Sequence, residues 1–237
     1  MNLILLFESD FIADSRVQIS DRRFYHIRDI HQPTPGDTLK VGSLDGLIGQ
    51  GTVTELTDSG ISLTVDLQQQ PPAPLAATMI LALPRPKMLK RTLQTITSMG
   101  VKQLYLVNAY KVDKSYWSSP LLSPEKIHEQ LLLGLEQAGD TVLPEIHLRK
   151  RFKPFVEDEL PAIAAGTRAL VAHPYDATSC PPAENVATTI AIGPEGGFIP
   201  YEVEKLNQTG FESIHLGNRI LRVENAVPVI LARLFPV

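Results

Sequence analysis

The 237-residue chain is 43% hydrophobic and 20% charged, as in ordinary soluble globular proteins, and neither a membrane-spanning run nor a cleavable leader is recognisable. Its one cysteine, Cys180, excludes an internal disulfide framework and disfavours a cysteine-built zinc site, so we expect a cytoplasmic protein without a metal. The net charge is −4, and residues 1–70 carry 5 basic against 10 acidic side chains, which argues against a dominant nucleic-acid-binding field there.

The first 70 residues predict a small β-rich domain. Apolar residues alternate from Ile61 to Leu67, and turn signals such as Pro35-Gly36 separate short strands. The predicted strands cover 3–7, 16–19, 37–41, 51–56 and 61–67, and one short helix covers 21–30. Together they predict a small barrel-like module over residues 1–70.

A polar, proline-rich stretch at 68–76 predicts an extended linker and hence a domain boundary. Beyond it, strands and helices alternate, and Gly100 and Gly139 close two of the helices. The predicted strands are 78–83, 103–108, 145–148, 168–173, 187–193 and 211–216, and the predicted helices are 86–99, 124–138, 154–164, 200–208 and 225–234. This alternation predicts an α/β domain over 71–237 with a mostly parallel sheet and helices on both faces.

Three strand-ending loops in the last third of the chain have the residues of a ligand site. They begin at His173-Pro174, at the stretch "IGPEGGF" (192–198) and at Gly217. Ligands of parallel sheets gather beyond the carboxyl ends of the strands. If the three strands are neighbours, we therefore expect the three loops to form one pocket.

The glycine-rich loop predicts close approach between backbone and ligand. Gly193, Gly196 and Gly197 lack the side chains that would block such an approach. The spacing matches neither a dinucleotide fingerprint nor a phosphate-binding P-loop, and Glu195 would repel a phosphate. A neutral or cationic ligand suits this loop better.

The segment 219–225 combines two arginines, a glutamate and apolar residues immediately before the last predicted helix. Asn225 is a candidate N-cap for that helix, which would place Pro228 in its first turn. A capped helix with surface salt bridges explains the same residues without any catalytic role. Likewise, the basic clusters at 84–91 and 149–153 are explained by solvated faces as well as by a nucleic-acid partner.

"IGPEGGF", followed by "LGNRILRVENA" (216–226), resembles the signature of the RsmE family of ribosomal RNA uridine-N3 methyltransferases, within the SPOUT superfamily. Weaker resemblance covers 136–146 and the histidine, His26, that precedes Pro35-Gly36-Asp37. The resemblance implies an S-adenosyl-L-methionine-dependent enzyme that methylates N3 of a uridine in 16S ribosomal RNA. Its partners would be ribosomal RNA or the small ribosomal subunit, and a second copy in a homodimer.

The resemblance also implies a fold. A PUA-like β-barrel over residues 1–70 would bind RNA, and it would be joined to a SPOUT α/β domain over 71–237. The chain of that domain would thread a deep trefoil knot, with the knot and the cofactor site at about 168–226.

Site roles follow from the resemblance together with the residue chemistry. The candidate cofactor-binding residues are Ala172, His173, Ile192, Gly193, Pro194, Glu195, Gly196, Leu216, Gly217, Ile220 and Leu221. The candidate catalytic residues are Arg222 and Arg219, near the acceptor or an RNA phosphate, and Glu224 as an orienting group or base. The candidate RNA-binding residues are Tyr25, His26, Arg28, Arg85, Lys87, Lys90 and Arg91.

Other interpretations stay open. Tyr25 and His26 also suit packing in a small barrel, and His173 also suits a hydrogen bond at a strand end. Val223 and Asn225 stand where the family commonly has threonine, so a divergent protein that binds cofactor and RNA, with a different target or little activity, is an alternative. A third hypothesis is an unrelated α/β enzyme whose glycine-rich loop binds a nucleotide beside an unknotted sheet.

Overall fold

The computed structural model describes residues 1–235, which divide into two compact units. The first comprises Met1–Ala73 and Leu131–Leu143, and the second comprises Pro74–Gln130 and the residues from Pro144 onward. One helix, Pro124–Ala138, contains the point between Gln130 and Leu131 where the chain passes from the second unit to the first. Its helical periodicity is unbroken, so the sequence pattern does not reveal this boundary. The fold is of the mixed α/β class.

The first unit is built on a curled six-stranded sheet. Its strands are β1 (Ile4–Leu6), β2 (Phe11–Ala13), β3 (Arg16–Ile19), β4 (Thr38–Ser43), β5 (Ile48–Leu56) and β6 (Ile61–Gln69). They lie in the order β1-β4-β5-β6-β3-β2, with β1 parallel to β4 and the other pairs antiparallel. A 3₁₀ turn, Glu8–Asp10, precedes β2.

Alternation along β1 supplies two apolar clusters of the first unit. Ile4 and Leu6 pack with Val17, Phe24 and other buried residues inside the curled sheet. Leu3 and Leu5 face the other way and pack with Ile48, Leu132 and Leu135. Because successive side chains of a strand point to opposite faces, one short strand joins both clusters.

The second unit contains a seven-stranded, wholly parallel sheet. Its strands are β7 (Ala77–Ala82), β8 (Gln103–Val107), β9 (Glu145–Arg149), β10 (Arg168–Ala172), β11 (Thr178–Ser179), β12 (Thr188–Ile192) and β13 (Glu212–His215). Their order is β11-β13-β10-β12-β7-β8-β9. The parallel sheet predicted from the alternation is thereby confirmed, and every residue of β12 is buried at its centre.

The helices follow the predicted order, the bounds predicted at 124–138 and 200–208 are confirmed, and the other bounds differ. They are α1 (Arg22–His26), α2 (Pro86–Ser98), α3 (Pro124–Ala138), α4 (Phe152–Pro154), α5 (Leu160–Ile163), α6 (Pro200–Gln208) and α7 (Val223–Leu234). Short 3₁₀ turns, Lys114–Ser118 and Pro120–Leu122, precede α3. No helix among residues 1–235 has both the length and the hydropathy to cross a membrane.

Two predicted helices are interrupted by wide turns. The helix predicted at 21–30 is α1, which continues as a π-type turn, Ile27–His31. The helix predicted at 154–164 begins earlier and contains another such turn, Phe155–Glu159, between α4 and α5. Asp21 caps α1 by accepting a hydrogen bond from the Arg23 N–H at 2.9 Å, as its residue type favours.

The start of α7 corrects one prediction. Asn225 is not the N-cap, because Arg222 is the extended residue before the helix, and its carbonyl accepts the N–H groups of Asn225 and Ala226 at 2.9 and 2.8 Å. Pro228 therefore lies inside the helix rather than in the first turn. The edge strands β2 and β11 were not predicted, since two or three residues are too few to display a period.

Candidate functional site

The three predicted loops converge on one cavity of the second unit. Their strands β13, β10 and β12 are adjacent in the parallel sheet, so their carboxyl ends share one edge. The cavity beyond that edge encloses about 460 Å³, within the range of small-molecule sites. The expected convergence of the loops is confirmed.

All eleven residues proposed from the sequence for cofactor binding line this cavity. They are Ala172 and His173 at the end of β10, Ile192 to Gly196 at the end of β12, and Leu216, Gly217, Ile220 and Leu221 after β13. Further lining residues, which the sequence did not single out as site residues, are Lys111, Pro174, Tyr175, Gly197, Phe198, Pro200, Ile214, His215, Val223 and Ala226. The walls are thus mainly apolar, with a few charged and polar groups.

The glycine-rich loop turns tightly against the following helix. The Gly197 N–H donates to the Pro194 carbonyl at 2.7 Å, closing the turn. A Cβ at Gly193 would lie 2.8 Å from the Phe198 backbone nitrogen, nearer than real Cβ contacts come. Position 193 therefore requires glycine for close packing of backbone on backbone.

A fourth loop reaches the cavity from β8. The Lys111 ammonium donates to the Gly196 carbonyl at 2.7 Å and joins the cavity wall. Buried Glu202, on α6, accepts from the Tyr110 N–H at 2.7 Å and from the Ile199 N–H at 2.9 Å. Because β8 ends at the same edge of the parallel sheet, the edge rule used for the other loops could have identified this loop.

Glu195 is the one carboxylate among the cavity-lining residues that the structure describes. Its Oε1 accepts from the Arg85 N–H at 3.1 Å and lies 4.0 Å from Arg85 Nε. Arg85 precedes α2 and has no capping side chain of its own, so the carboxylate lies at the positive end of that helix. These contacts hold a negative charge beside a mainly apolar cavity.

His173 presents an unpaired polar atom at the site. Its backbone N–H donates to the Ile214 carbonyl at 2.9 Å, while its Nδ1 is buried without a hydrogen-bond partner. Burial lowers the pKa of His173, and the Lys111 charge lowers it further, whereas Asp176 opposes the shift. The imidazole is therefore neutral near pH 7 and can accept or donate one further hydrogen bond.

A second hollow of about 350 Å³ adjoins the cavity. It shares Tyr175, His215 and Arg219 with the main cavity and adds Asp176 and Asn218. The His215 Nδ1 accepts from the Gly217 N–H at 3.1 Å, which fixes the third loop where it leaves β13. The polar hollow lies beside apolar walls, so the combined space suits a ligand with both kinds of surface.

Of the three candidate catalytic residues, the structure places only Arg219 in the cavity wall. Arg219 lines both hollows and is exposed. Arg222 is the exposed residue before α7, and Glu224 lies in the first turn of that helix. Neither Arg222 nor Glu224 lines the cavity.

The basic RNA-binding candidates of the second unit cluster at the start of α2. Arg85, Lys87, Lys90 and Arg91 are all exposed, within about two turns of helix. They form a positive patch, and Arg85 also contacts Glu195 of the cavity. A positive patch of this kind suits contacts with nucleic-acid phosphates.

The RNA-binding candidates of the first unit lie on α1 and the wide turn that follows it. Tyr25 is 51% exposed, and the Arg28 guanidinium lies 5.3 Å from its ring centre. Arg28 also donates to Asp29 at 2.7 Å. His26 is half-buried, with its Nε2 3.3 Å from the Met1 amino group.

Comparison with known proteins places the chain among RNA methyltransferases. Residues 71–235 match the family model described as RNA methyltransferase domain. The chain is similar to the ribosomal RNA small subunit methyltransferase E of Treponema pallidum, with 28% identity across 94% of this chain and 86% of that protein. It is also similar to the Synechocystis protein of the same name, with 24% identity across 94% of this chain and 74% of that protein.

The same likeness extends to a solved structure. The chain resembles the ribosomal RNA small subunit methyltransferase E of Neisseria gonorrhoeae, whose crystal structure contains S-adenosyl methionine. The TM-score is 0.73, the identity is 17%, and the match covers 97% of this chain and 95% of that one. The two proteins therefore share a fold along nearly their whole lengths.

Proposed function

Because the chain belongs to the RsmE family of RNA methyltransferases, we propose that it transfers a methyl group from S-adenosyl-L-methionine to small-subunit ribosomal RNA, at N3 of a uridine. The observation that carries the proposal is the cavity at the carboxyl edge of β13, β10 and β12, which all eleven residues selected for cofactor binding line.

The cavity residues fit this cofactor. Ile192, Leu216 and Leu221 supply apolar wall for an adenine ring. The buried His173 Nδ1 lacks a partner and can bond to a polar group of the ligand. Backbone packs so closely at Gly193 that a side chain would disturb the wall.

Two charged groups of the cavity, Glu195 and Arg219, have a role in the proposed reaction. S-adenosyl-L-methionine supplies a methyl group on a positively charged sulfur, and Glu195 supplies the negative charge that suits a cationic ligand. Arg219, on the loop after β13, favours an acceptor or phosphate that carries negative charge. Arg222 and Glu224 act outside the cavity wall, where we propose contacts to RNA for the arginine and an orienting role for the glutamate.

We also propose the finer features of the fold. Residues 71–237 would form a SPOUT domain with a deep trefoil knot at about 168–226, although Leu131–Leu143 belong to the first unit, and residues 1–70 would form a PUA-like barrel. The strand order supports a knot, because β12 lies between β7 and β10 although β10 precedes it in the chain. The chain then passes to the far side of β10 to form β13.

We propose RNA contacts from both units, a homodimer, no metal and a cytoplasmic location. The exposed cluster of Arg85, Lys87, Lys90 and Arg91 supports phosphate contacts, and exposed Tyr25 supports stacking with a base. The homodimer rests on the family resemblance, and sedimentation of the purified protein tests it.

One experiment tests the function as a whole. We expect modified-nucleoside mass spectrometry to find one methyluridine missing from small-subunit ribosomal RNA in cells that lack this protein, and purified protein with S-adenosyl-L-methionine to restore it. Calorimetric titration with S-adenosyl-L-methionine and S-adenosylhomocysteine accompanies it. Binding without methylation would favour the divergent RNA-binding alternative, and failure to bind either compound would contradict the cofactor assignment.

Cofactor affinity should fall at acidic pH because of His173. Its pKa in the folded protein lies below the ordinary 6.5, and a cationic ligand favours the neutral ring. Protonation therefore competes with binding, so we expect the dissociation constant to rise by up to about tenfold per pH unit once the pH falls below this lowered pKa. Titration calorimetry between about pH 7.5 and pH 5 measures the change.

The matched controls are His173→Gln, which should flatten this pH dependence, and His128→Gln on α3, which should leave it unchanged. An unaltered pH dependence in His173→Gln would assign the effect to another group.

A further inference from the structure

Lys111 holds a fixed position at the cavity wall. Its ammonium donates to the Gly196 carbonyl at 2.7 Å, and a Cβ at Gly196 would lie 2.8 Å from Lys111 Cδ. The preceding backbone is held as well, because the Tyr110 N–H donates to buried Glu202. The lysine therefore lies along the glycine-rich turn with its charge next to the cavity.

Lys111 and Arg219 are the permanent cations among the cavity-lining residues that the structure describes. A positive charge does not favour the sulfonium of the proposed cofactor, so two partners are left for it, the cofactor's carboxylate and the acceptor, and the cofactor affinity of a Lys111 variant distinguishes them. The Lys111 ammonium has three N–H donors, and the Gly196 carbonyl accepts from one of them, so two N–H groups can donate to a ligand. A cation already held in place needs little reorganisation during a reaction.

The acceptor uridine becomes negatively charged during the reaction, and a nearby cation would stabilise that charge. Uridine N3 carries a weakly acidic proton, and the ring that has lost it bears negative charge shared with its two carbonyl oxygens. In the reaction the N3–H bond breaks, and the proton passes to solvent water. The electron pair on N3 then bonds to the methyl carbon as the carbon–sulfur bond breaks, leaving a neutral thioether.

We propose that Lys111 is a catalytic residue that donates a hydrogen bond to a carbonyl oxygen of the acceptor pyrimidine and favours its N3-deprotonated form. This inference rests on the proposed function, since it names the acceptor side of the same site. A nearby cation lowers the pKa of a group that becomes anionic, so the reactive form is more abundant when Lys111 is present.

The first test compares methyl-transfer rates of Lys111 variants on small-subunit RNA. We expect Lys111→Gln to lower kcat/KM by about 100-fold and Lys111→Arg, which keeps the charge, to retain most of the rate. Calorimetric affinity of Lys111→Gln for S-adenosyl-L-methionine without RNA should stay within about threefold of wild type. The matched control is Lys114→Gln, an exposed lysine outside the cavity lining, which should keep the wild-type rate.

The second test changes the acidity of the acceptor instead of the protein. RNA containing 5-fluorouridine has a more acidic N3–H, so it depends less on a cation to lose its proton. We expect the loss in Lys111→Gln to shrink from about 100-fold to below about tenfold on this RNA. If Lys111 only supported the loop, Lys111→Gln would lower the rate by the same factor on both RNAs.

The outcomes separate this inference from the proposed function. A wild-type protein that methylates neither RNA contradicts the proposed function. An active wild type together with an equally active Lys111→Gln, or with the same loss on both RNAs, overturns the role of Lys111 alone. Weak cofactor binding by Lys111→Gln would likewise assign the lysine to the cofactor loop and overturn the acceptor role.

Discussion

Gly193→Ala should weaken binding of S-adenosyl-L-methionine by at least about 100-fold while the protein stays folded. The new Cβ would lie 2.8 Å from the Phe198 backbone nitrogen and 3.2 Å from the Gly197 carbonyl carbon, so backbone rather than a flexible side chain must shift. That shift displaces the glycine-rich turn that lines the cavity. Titration calorimetry measures the affinity, and circular dichroism confirms folding.

Two other glycines give matched comparisons. At Gly196 the added Cβ would meet the Lys111 side chain at Cδ rather than backbone, so Gly196→Ala should cost less affinity than Gly193→Ala. Gly166, at the opposite edge of the sheet before β10, has a φ of +73° and open space around it. Gly166→Ala should lower stability by about 1 kcal/mol without changing affinity. Equal affinity losses at 193 and 166 would refute the close-packing explanation.

The second large effect is expected in the first unit, where Arg23→Met should destabilise the fold by about 3–5 kcal/mol. The buried Arg23 guanidinium donates to both carboxylate oxygens of Asp10, at 2.7 and 2.8 Å, and to Asp21 at 2.7 Å. Its removal leaves the nearly buried Asp10 without its cation. Hydrogen exchange of the amides in β1 and α1 measures the stability of the first unit separately from that of the second.

The Arg23 network also predicts an acid dependence. Burial alone raises the pKa of Asp21, but hydrogen bonds and charge from Arg23 outweigh burial and hold that pKa below its usual 3.8. A carboxylate with a depressed pKa stabilises the fold at pH values above 3.8, and this contribution is lost as the pH falls through the lowered pKa.

Two variants test the origin of the effect. Arg28→Ala removes an exposed arginine that pairs with Asp29, and it should lower stability far less than Arg23→Met does. Adding Asp10→Asn to Arg23→Met removes the stranded charge and should recover part of the lost stability. If Arg23→Met exchanged no faster than Arg28→Ala, the buried network would not stabilise this unit.

Short sequence motifs were enough to predict which loops form the candidate site. Glycines and a proline around one carboxylate after an apolar strand are local features, and so is a histidine-proline pair at a strand end. The same holds for Gly100 and Gly139, which follow the ends of α2 and α3 as predicted and have positive φ. Prediction was less accurate at the start of α7, where the helix begins two residues before Asn225, and at β2 and β11, whose two or three residues are too few to display a period.

The sequence by itself determined the strand–helix alternation, the glycine-rich loop, the resemblance to RsmE proteins and eleven of the residues that line the cavity. Only the tertiary structure decided which charged groups reach that cavity. Lys111 reaches it through a contact with Gly196, 85 residues away, whereas Arg222 and Glu224 do not line it. The physical reason is that neighbouring residues determine the local backbone conformation. The position of a long side chain's charged end depends instead on how distant segments pack together.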